Sequence, residues 1–535
     1  MVVSLTIHAD EEGRATRSTD IELLVPFGTR LNHIVDWLSE NFRPSLWPSE
    51  TATRTFYDTF DWAIFCDGGA LECRSQRSGR RWVWTALQGD APQISQAMAG
   101  EPGLALDLPN GPVRERICGL CGVRRLLPVA EVESQVTPLR LVNDDAETLL
   151  RLELEEPLAR DPAVAECRSM QARLRLLPEH HHHGIYRQVS ERLVSELGLV
   201  PAETPLLSDA LASCGRRPSG YSSKLAYRLD PHQRADEATR VILRGLLDTL
   251  IANIEGVREN LDTEFLHDLR VATRRTRSAL GQIKDVLPQA IVDEYKARFA
   301  WLQQATGPTR DLDVYLLDFD RYQQAIPARL QTALESVRAY LRTRQTEEQR
   351  RLVGHLDSAE FSHLIEEWRA FLDAPISEHV VPAKGARPIK SVADERIRRM
   401  VKRVRREGLA IRPDSPDEEL HELRKSCKKL RYLMEFFESL YPKDKIARLI
   451  KLLKKLLDHL GLLQDLAVQA GHLHDWAEQM RTEGMADTDT LLAMGALIGQ
   501  LLERQERARK EFAAVFADYI GDDNQALFRT LFASA

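Results

Sequence analysis

The sequence predicts a multidomain chain: an N-terminal antiparallel α+β domain, then an all-α part made of tandem helical bundles related by a pseudo-twofold. Three observations predict it. Over the first ~200 residues short β-prone runs alternate with turns, whereas from about Ala235 apolar residues recur at three and four and strand signals vanish. The helical part then repeats itself at a constant offset. A length of 535 residues exceeds what one core organises, and a 43% apolar content is enough for several.

In the first part the β-prone runs are "RTFYDTFDWAIF", "ALECRSQRSGRRWVWTAL", "TPLRLVNDDAETLLRLELEE" and "CRSMQARLRLL". "GALECRSQRSGRRWVWTA" reads as a hairpin, with Ser78-Gly79 in the turn and Trp82 and Trp84 on one face of the second strand. Two helical patterns intervene, "TRLNHIVDWLSENF" and "IYRQVSERLVSELG". The domain is assigned to 1–205. The stretch 206–230, overlapping "PAETPLLSDALASCGRRPSGYSSK" at 201–224, reads as a linker. Helical bundles follow at 231–373 and 394–535, separated by a second linker at 374–393 that contains "APISEHVVPAKGARPIKS".

The two bundles are copies. "HDLRVATRRTRSAL" begins at His267 and "HELRKSCKKLRYLM" at His421, 154 residues later. The same offset pairs Arg270 with Arg424, Arg274 with Lys428, Arg277 with Arg431, Gly307 with Gly461 and Asp311 with Asp465. Chance helical composition does not hold glycine and aspartate in such register.

On a helical wheel His267, Arg270, Arg274 and Arg277 fall within an arc of about 80°, opposite Leu269, Ala272, Thr276 and Leu280. In the second copy His421, Arg424, Lys428 and Arg431 form the stripe, and Arg275 and Lys429 flank the two stripes. Solvated helix faces usually interleave Glu with Lys, so a stripe of cations alone repels itself and calls for an anion. Between Lys390 and Leu460 there are 20 Lys and Arg against 12 Asp and Glu, a local excess of 8 in a chain of net charge −7. Arg399, Lys402, Arg403 and Arg406 add cations before the second stripe, and Lys451, Lys454 and Lys455 add them after it.

The stripes lack the aromatic interleaving on which bases stack, and no helix-turn-helix or zinc module is visible, which disfavours nucleic acid. A phosphate-rich ligand without bases suits Arg forks and Lys point charges. Imidazolium at His267 and His421 would then strengthen binding towards mildly acidic pH.

Other signals exclude more than they assign. Seven cysteines without framework spacing fit a reducing compartment, and Cys118 and Cys121 in "CGLCG" lack partners for a zinc set and read as small residues in a turn. The run His180–His183 reads as a solvated loop with weak metal affinity. The opening residues show no apolar secretory core and no stretch reaches the ~18 apolar residues of a membrane span. The expectation is a cytoplasmic protein without a membrane partner.

The duplicated segments, each followed by an aspartate motif ("GPTRDLDV" at 307–314 and "GLLQDLAV" at 461–468), resemble the CHAD domain family. The resemblance covers about 235–535. It implies paired helical bundles whose basic helices line a groove or pore that binds inorganic polyphosphate, with no cofactor, at polyphosphate granules; a homo-oligomer is compatible with it. The ligand-facing positions it implies are His267, Arg270, Arg274, Arg277, His421, Arg424, Lys428 and Arg431. The second aspartate motif departs from the first, with Gln464 for Arg310 and Ala467 for Asp313.

The segment "FYDTFDWAIFCDGGALECRSQRSGRRWVWTALQG" resembles the aromatic-Asp-Thr strand and Arg-rich hairpin of the CYTH family of triphosphate-tunnel enzymes, over roughly 15–228. That resemblance implies a β-barrel tunnel whose carboxylates hold Mg²⁺ or Mn²⁺ across the phosphates. The family's E-x-E-x-K strand reads "DIELL" here, with Leu24 for lysine, and Gln88, Gln171 and Arg173 replace further charged positions. The expectation is a degenerate tunnel, with Glu22, Arg74, Glu153 and Glu155 as its residual polar set and no confident catalytic or metal ligand. An active triphosphatase and a nucleic-acid binder are the alternatives to polyphosphate binding.

Overall fold

The computed structural model describes residues 6–9, 15–18, 21–76, 79–88, 93–98, 100–164, 166–178, 183–218, 220–223, 225, 227–376 and 382–533. The chain divides into two compact units, Met1–Ser222 and Ser223–Ala535.

The first unit contains strands β1 (Thr6–Ala9), β2 (Ala15–Ser18), β3 (Ile21–Leu24), β4 (Pro44–Leu46), β5 (Glu50–Asp58), β6 (Gly69–Gln76), β7 (Gly79–Ala86), β8 (Ile94–Ala97), β9 (Leu127–Val142), β10 (Thr148–Arg160), β11 (Cys167–Ser169), β12 (Arg173–Pro178) and β13 (Val200–Pro201). Its helices are α1 (Leu31–Asn41), α2 (Ala63–Cys66), α3 (Pro112–Cys121), α4 (His183–Leu197) and α5 (Leu206–Ser213). One antiparallel sheet runs β13-β3-β12-β10-β9-β5-β6-β7-β8, with β11 on β10 and β4 on β9, and β1 pairs β2 separately. One face packs Leu139, Leu152, Leu174 and Leu176 against Ile34 and Leu38 of α1 and Val189 and Leu193 of α4. Further along, Trp82 and Trp84 do sit together, packed with Val113 and Ile117 of α3. Ser78 and His180–His182 fall outside the described residues.

Three expectations need correction. Cys118 and Cys121 lie one turn apart on α3 rather than in a turn, and burial pushes the Cys121 thiol up to about 12, which keeps it inert. The stretch expected as a linker from 206 instead forms α5, whose Leu206, Leu207, Ala210 and Leu211 pack on Phe56, Ala130, Val132 and Ala159 of the sheet. Burial of four apolar side chains outweighs the helix-breaking prolines around it. The second linker is also shorter than expected, because a helix starts at Ile389.

The second unit is helical: α6 (Ala235–Ala252), α7 (Ile254–Arg258), α8 (Thr263–Gln282), α9 (Gln289–Ala305), α10 (Gly307–Leu317), α11 (Phe319–Gln324), α12 (Ala328–Gln331), α13 (Leu334–Leu356), α14 (Ala359–Asp373), α15 (Ile389–Ala410), α16 (Asp417–Phe436), α17 (Lys443–Thr482), α18 (Thr488–Tyr519) and α19 (Asp522–Leu531). The starts of α6, α8, α9 and α13 precede those of α15, α16, α17 and α18 by 154 residues each, the offset read from the sequence. The two copies share a core: Leu312, Tyr315, Val337 and Tyr340 of the first pack with Leu466, Leu473, Met494 and Leu497 of the second. They also exchange backbone bonds, Ala235 N–H donating to Arg387 O at 2.9 Å and Lys384 N–H to Asp285 O at 2.8 Å.

One difference breaks the symmetry. The first copy interrupts the helix that corresponds to α17 at Thr306-Gly307-Pro308, giving α9 and α10, while α17 runs unbroken for 40 residues. Proline lacks the N–H that would bond four residues back, so the first copy restarts its helix where Leu462 lets the second continue.

Candidate functional site

The cationic stripes lie on α8 and α16, which pack against each other. Each helix turns its apolar side inwards: Leu269, Ala272, Thr276 and Leu280 in one, Leu423, Leu430 and Met434 in the other, are all buried. The stripe side chains are left at the seam between the copies.

Four of them meet there. Lys428 is pushed down to about 8, first by burial and then by the charges of Arg424, Arg274 and Arg431, with Asp465 acting in the opposite sense. Arg274 belongs to α8 and the others to α16, so the two stripes feel each other across the copy boundary. Neither Arg274 nor Lys428 has an ion-pair partner among the described residues. The Nε of Arg274 is buried without a hydrogen-bond acceptor. Arg277 lies beyond them, exposed.

Several stripe members, Arg270, Arg424 and Arg431 among them, are also engaged by the protein itself. Arg270 donates from Nη1 to Gln303 O at 2.9 Å and to Thr306 Oγ1 at 2.8 Å. It thereby caps the C-terminus of α9 at the break, a position that suits a cation. Burial first, then Arg274, lowers its guanidinium to about 10. In the unbroken second copy Arg424 has no such carbonyl and instead pairs with the exposed Asp465 at 3.2 Å. Gly307 and Gly461 leave these arginines room: a β-carbon would stand 3.7 Å from Arg270 Nη1 and 3.4 Å from Arg424 Nη2.

Glu435 joins the copies. Its carboxylate takes Arg275 of α8 at 3.1 Å and Arg431 of its own helix at 3.2 Å. Arg275 also donates to Ser223 O at 3.0 Å. The sequence reading missed Glu435, although its place four residues after Arg431 was a legible pairing signal. Lys429 is lowered by burial and then by Arg403 of α15, with Glu422 and Glu407 opposing, so it faces α15. Arg403 pairs with Glu407 at 2.6 Å and Lys455 with Asp518 at 2.8 Å. Arg399, Lys402, Arg406, Lys451 and Lys454 are exposed.

The two histidines have different surroundings. Arg310 Nη2 lies 3.1 Å from His267 Nδ1, and since a guanidinium only donates, that nitrogen is the acceptor. A proton added there would break the contact, which opposes the expected gain towards mild acid. His421 Nδ1 is buried without a hydrogen-bond partner and lines a cavity discussed below.

In the sheet unit every carboxylate of the expected residual tunnel is held by an arginine. Glu155 pairs with Arg54 at 3.1 Å and accepts from Ser134 Oγ at 2.6 Å, Glu153 pairs with Arg175 at 3.2 Å, and Glu22 pairs with Arg173 at 3.0 Å. Arg74 pairs with Glu72, and Arg173, only 1% exposed, also reaches Asp209 of α5. Among the described residues no group of three His, Cys, Asp or Glu is placed to hold a metal ion. The family's divalent cations need open carboxylates, and this donor set does not fit them. Asp58 of "FYDT" has a structural task, accepting backbone N–H groups of Thr59, Ile64 and Phe65 at 2.7–2.9 Å around the start of α2.

With this geometry in place, residues 241–474 match the model of the CHAD domain family. Two curated proteins from two strains of Mycobacterium tuberculosis, both described as uncharacterized, are 29% identical over 343 residues, which is 58% of this chain. The chain spans 61% of the length of these relatives. Among solved structures, the CHAD domain from the plant Ricinus communis is 24% identical, with TM-score 0.46, covering 55% of this chain and 95% of that one. A Hippeastrum protein presented as an adenylyl cyclase with a dominant triphosphatase activity is 15% identical, with TM-score 0.27, covering 38% of this chain and 99% of that one.

Proposed function

We propose that this chain, which carries a CHAD domain behind an antiparallel sheet unit, binds inorganic polyphosphate at the seam between α8 and α16. The observation that carries the reading is the meeting of Lys428 and Arg274, cations from two copies, buried enough to depress the lysine and without an ion-pair partner among the described residues. A polyanion relieves that repulsion. Arg277, Arg424 and the exposed Arg399, Lys402, Arg406, Lys451 and Lys454 extend the positive surface along which a long chain is held. No metal ion is needed for this, and the absence of base-stacking aromatics at the exposed cations favours phosphate over nucleic acid. A cytoplasmic place at polyphosphate granules belongs to the same reading. Among the described residues no helix is long and apolar enough to cross a membrane.

The sheet unit is proposed as a scaffold rather than a triphosphatase, because its carboxylates are neutralised in place. Incubation with tripolyphosphate and Mg²⁺ or Mn²⁺ releases no phosphate on this reading; metal-dependent release would reinstate the enzyme. Binding of long-chain polyphosphate to the full chain is measured by titration at several salt concentrations, where a steep salt slope is expected. Displacement of polyphosphate by DNA or RNA at comparable concentration would overturn the assignment.

Glu435 gives a prediction with two signs. Replacing it by Gln frees Arg275 and Arg431, so polyphosphate affinity rises. The unliganded helical unit loses about 1.5–3 kcal/mol, the worth of hydrogen bonds to charged groups. Titration and denaturant unfolding of the same Glu435→Gln sample check the pair; a fall in both would show that Glu435 positions the site.

A further inference from the structure

The two copies treat their histidines differently, and the difference leaves a shaped hole. In the first copy the Arg310 guanidinium donates to Thr263 O at 2.8 Å, touches His267 Nδ1 at 3.1 Å and stands 3.6 Å from Glu264. Moving each of these residues by 154 gives Gln464, Asp417, His421 and Glu418. All four line one cavity of about 200 Å³ in the second copy. Its floor is apolar, made by Leu420, Leu460 and Leu463. His421 Nδ1 is buried there without a donor. The shorter, neutral Gln464 does not replace the arginine.

We infer that this cavity is a second binding site, for a guanidinium group, distinct from the phosphate seam and independent of that reading. The group would repeat what Arg310 does in the first copy: donate to the carbonyl of Asp417 and to His421 Nδ1, and set its charge against Glu418. Its flat faces and alkyl stem would rest on the leucines. The carboxylate of Asp417 is already paired, with Arg509 and with Gln505 Nε2 at 2.9 Å, so Glu418 is the acid left for the ligand. Guanidinium is preferred over ammonium because a planar fork can reach the carbonyl and the imidazole together. The group can come from a small alkylguanidine or from an arginine side chain of a polypeptide.

The test is thermal unfolding of the full chain with millimolar butylguanidinium, with butylammonium as the comparison. The expected result is a saturable rise in midpoint with butylguanidinium, a smaller one with butylammonium, and loss of the rise in Gln464→Arg, which supplies the guanidinium in cis. Should Gln464→Arg fail to fold, Ala467→Leu fills the same cavity with hydrocarbon and must also lose the rise. No stabilisation of the unaltered chain, or equal stabilisation of the filled variants, overturns the proposal. N-acetylarginine amide separates the sources: tighter binding than butylguanidinium assigns a polypeptide arginine, weaker binding a small molecule.

Discussion

Replacing Arg274 and Lys428 together by Ala lowers the affinity of the full chain for long-chain polyphosphate at least about tenfold and flattens its salt dependence. Both side chains emerge opposite the buried faces of their helices, so the unit stays folded and its unfolding midpoint holds or rises as repulsion is relieved. The lysine adds a pH signature. It is held near 8 in the empty protein by burial and by three arginines, and an anion must restore its proton. Affinity therefore falls as pH rises from 7 to 9.5, by roughly tenfold, since one unit of displacement is worth about 1.4 kcal/mol. The Lys428→Ala protein lacks this dependence. The sign for stability is the reverse: a lysine lowered on folding costs stability in full below 8, and the cost shrinks as pH rises from 8 towards the ordinary lysine value. Unchanged affinity in the double variant, measured by titration, would remove the seam as the site.

Arg54→Met costs the sheet unit about 3–5 kcal/mol, the largest stability change expected here, because it leaves Glu155 buried and unpaired. Burial is the largest single influence and would raise Glu155; Arg54, the Ser134 Oγ hydrogen bond, Arg175 and Arg173 together outweigh it, and the carboxyl lies below its ordinary value. The native pair therefore adds stability above the carboxylate range and loses it as acid protonates Glu155. In the variant burial governs, the carboxyl moves up, and stability declines as pH rises. The gap between the two proteins narrows on going from pH 7 to pH 5. Hydrogen exchange of β10 amides reads it locally, and Arg54→Met/Glu155→Met recovers most of the loss. A single variant as stable as the parent would show that the pair is not a buried lock.

The tandem arrangement was legible because four pairs of helix starts keep one offset, and glycine and aspartate mark that register in the sequence. The stripes were legible for the same reason. Their division into free and engaged cations was not, since a helical wheel shows direction and not neighbours. Arg270 is claimed by a carbonyl exposed at a helix break, and that break follows from Pro308, a residue outside the stripe. Arg275 is claimed by Glu435, 160 residues away. α5 was hidden by the prolines around it, although Leu206, Leu207, Ala210 and Leu211 already carried a helical spacing. In the sheet unit the departures from the family pattern were visible singly. What only the fold shows is that the new charges are complementary: Arg173 arrives where Glu22 and Asp209 can meet it.

The interrupted helix of the first copy gives the two halves unequal readiness. Arg270 is tied to a main-chain carbonyl and a threonine hydroxyl that cannot withdraw without remodelling the backbone. Among the described residues Arg424 is restrained only by Asp465, a solvent-facing side chain able to rotate away. On the proposed polyphosphate reading, an arriving anion would meet one arginine that yields at once and another that stays anchored, so capture would begin on the second copy with the first as its fixed wall.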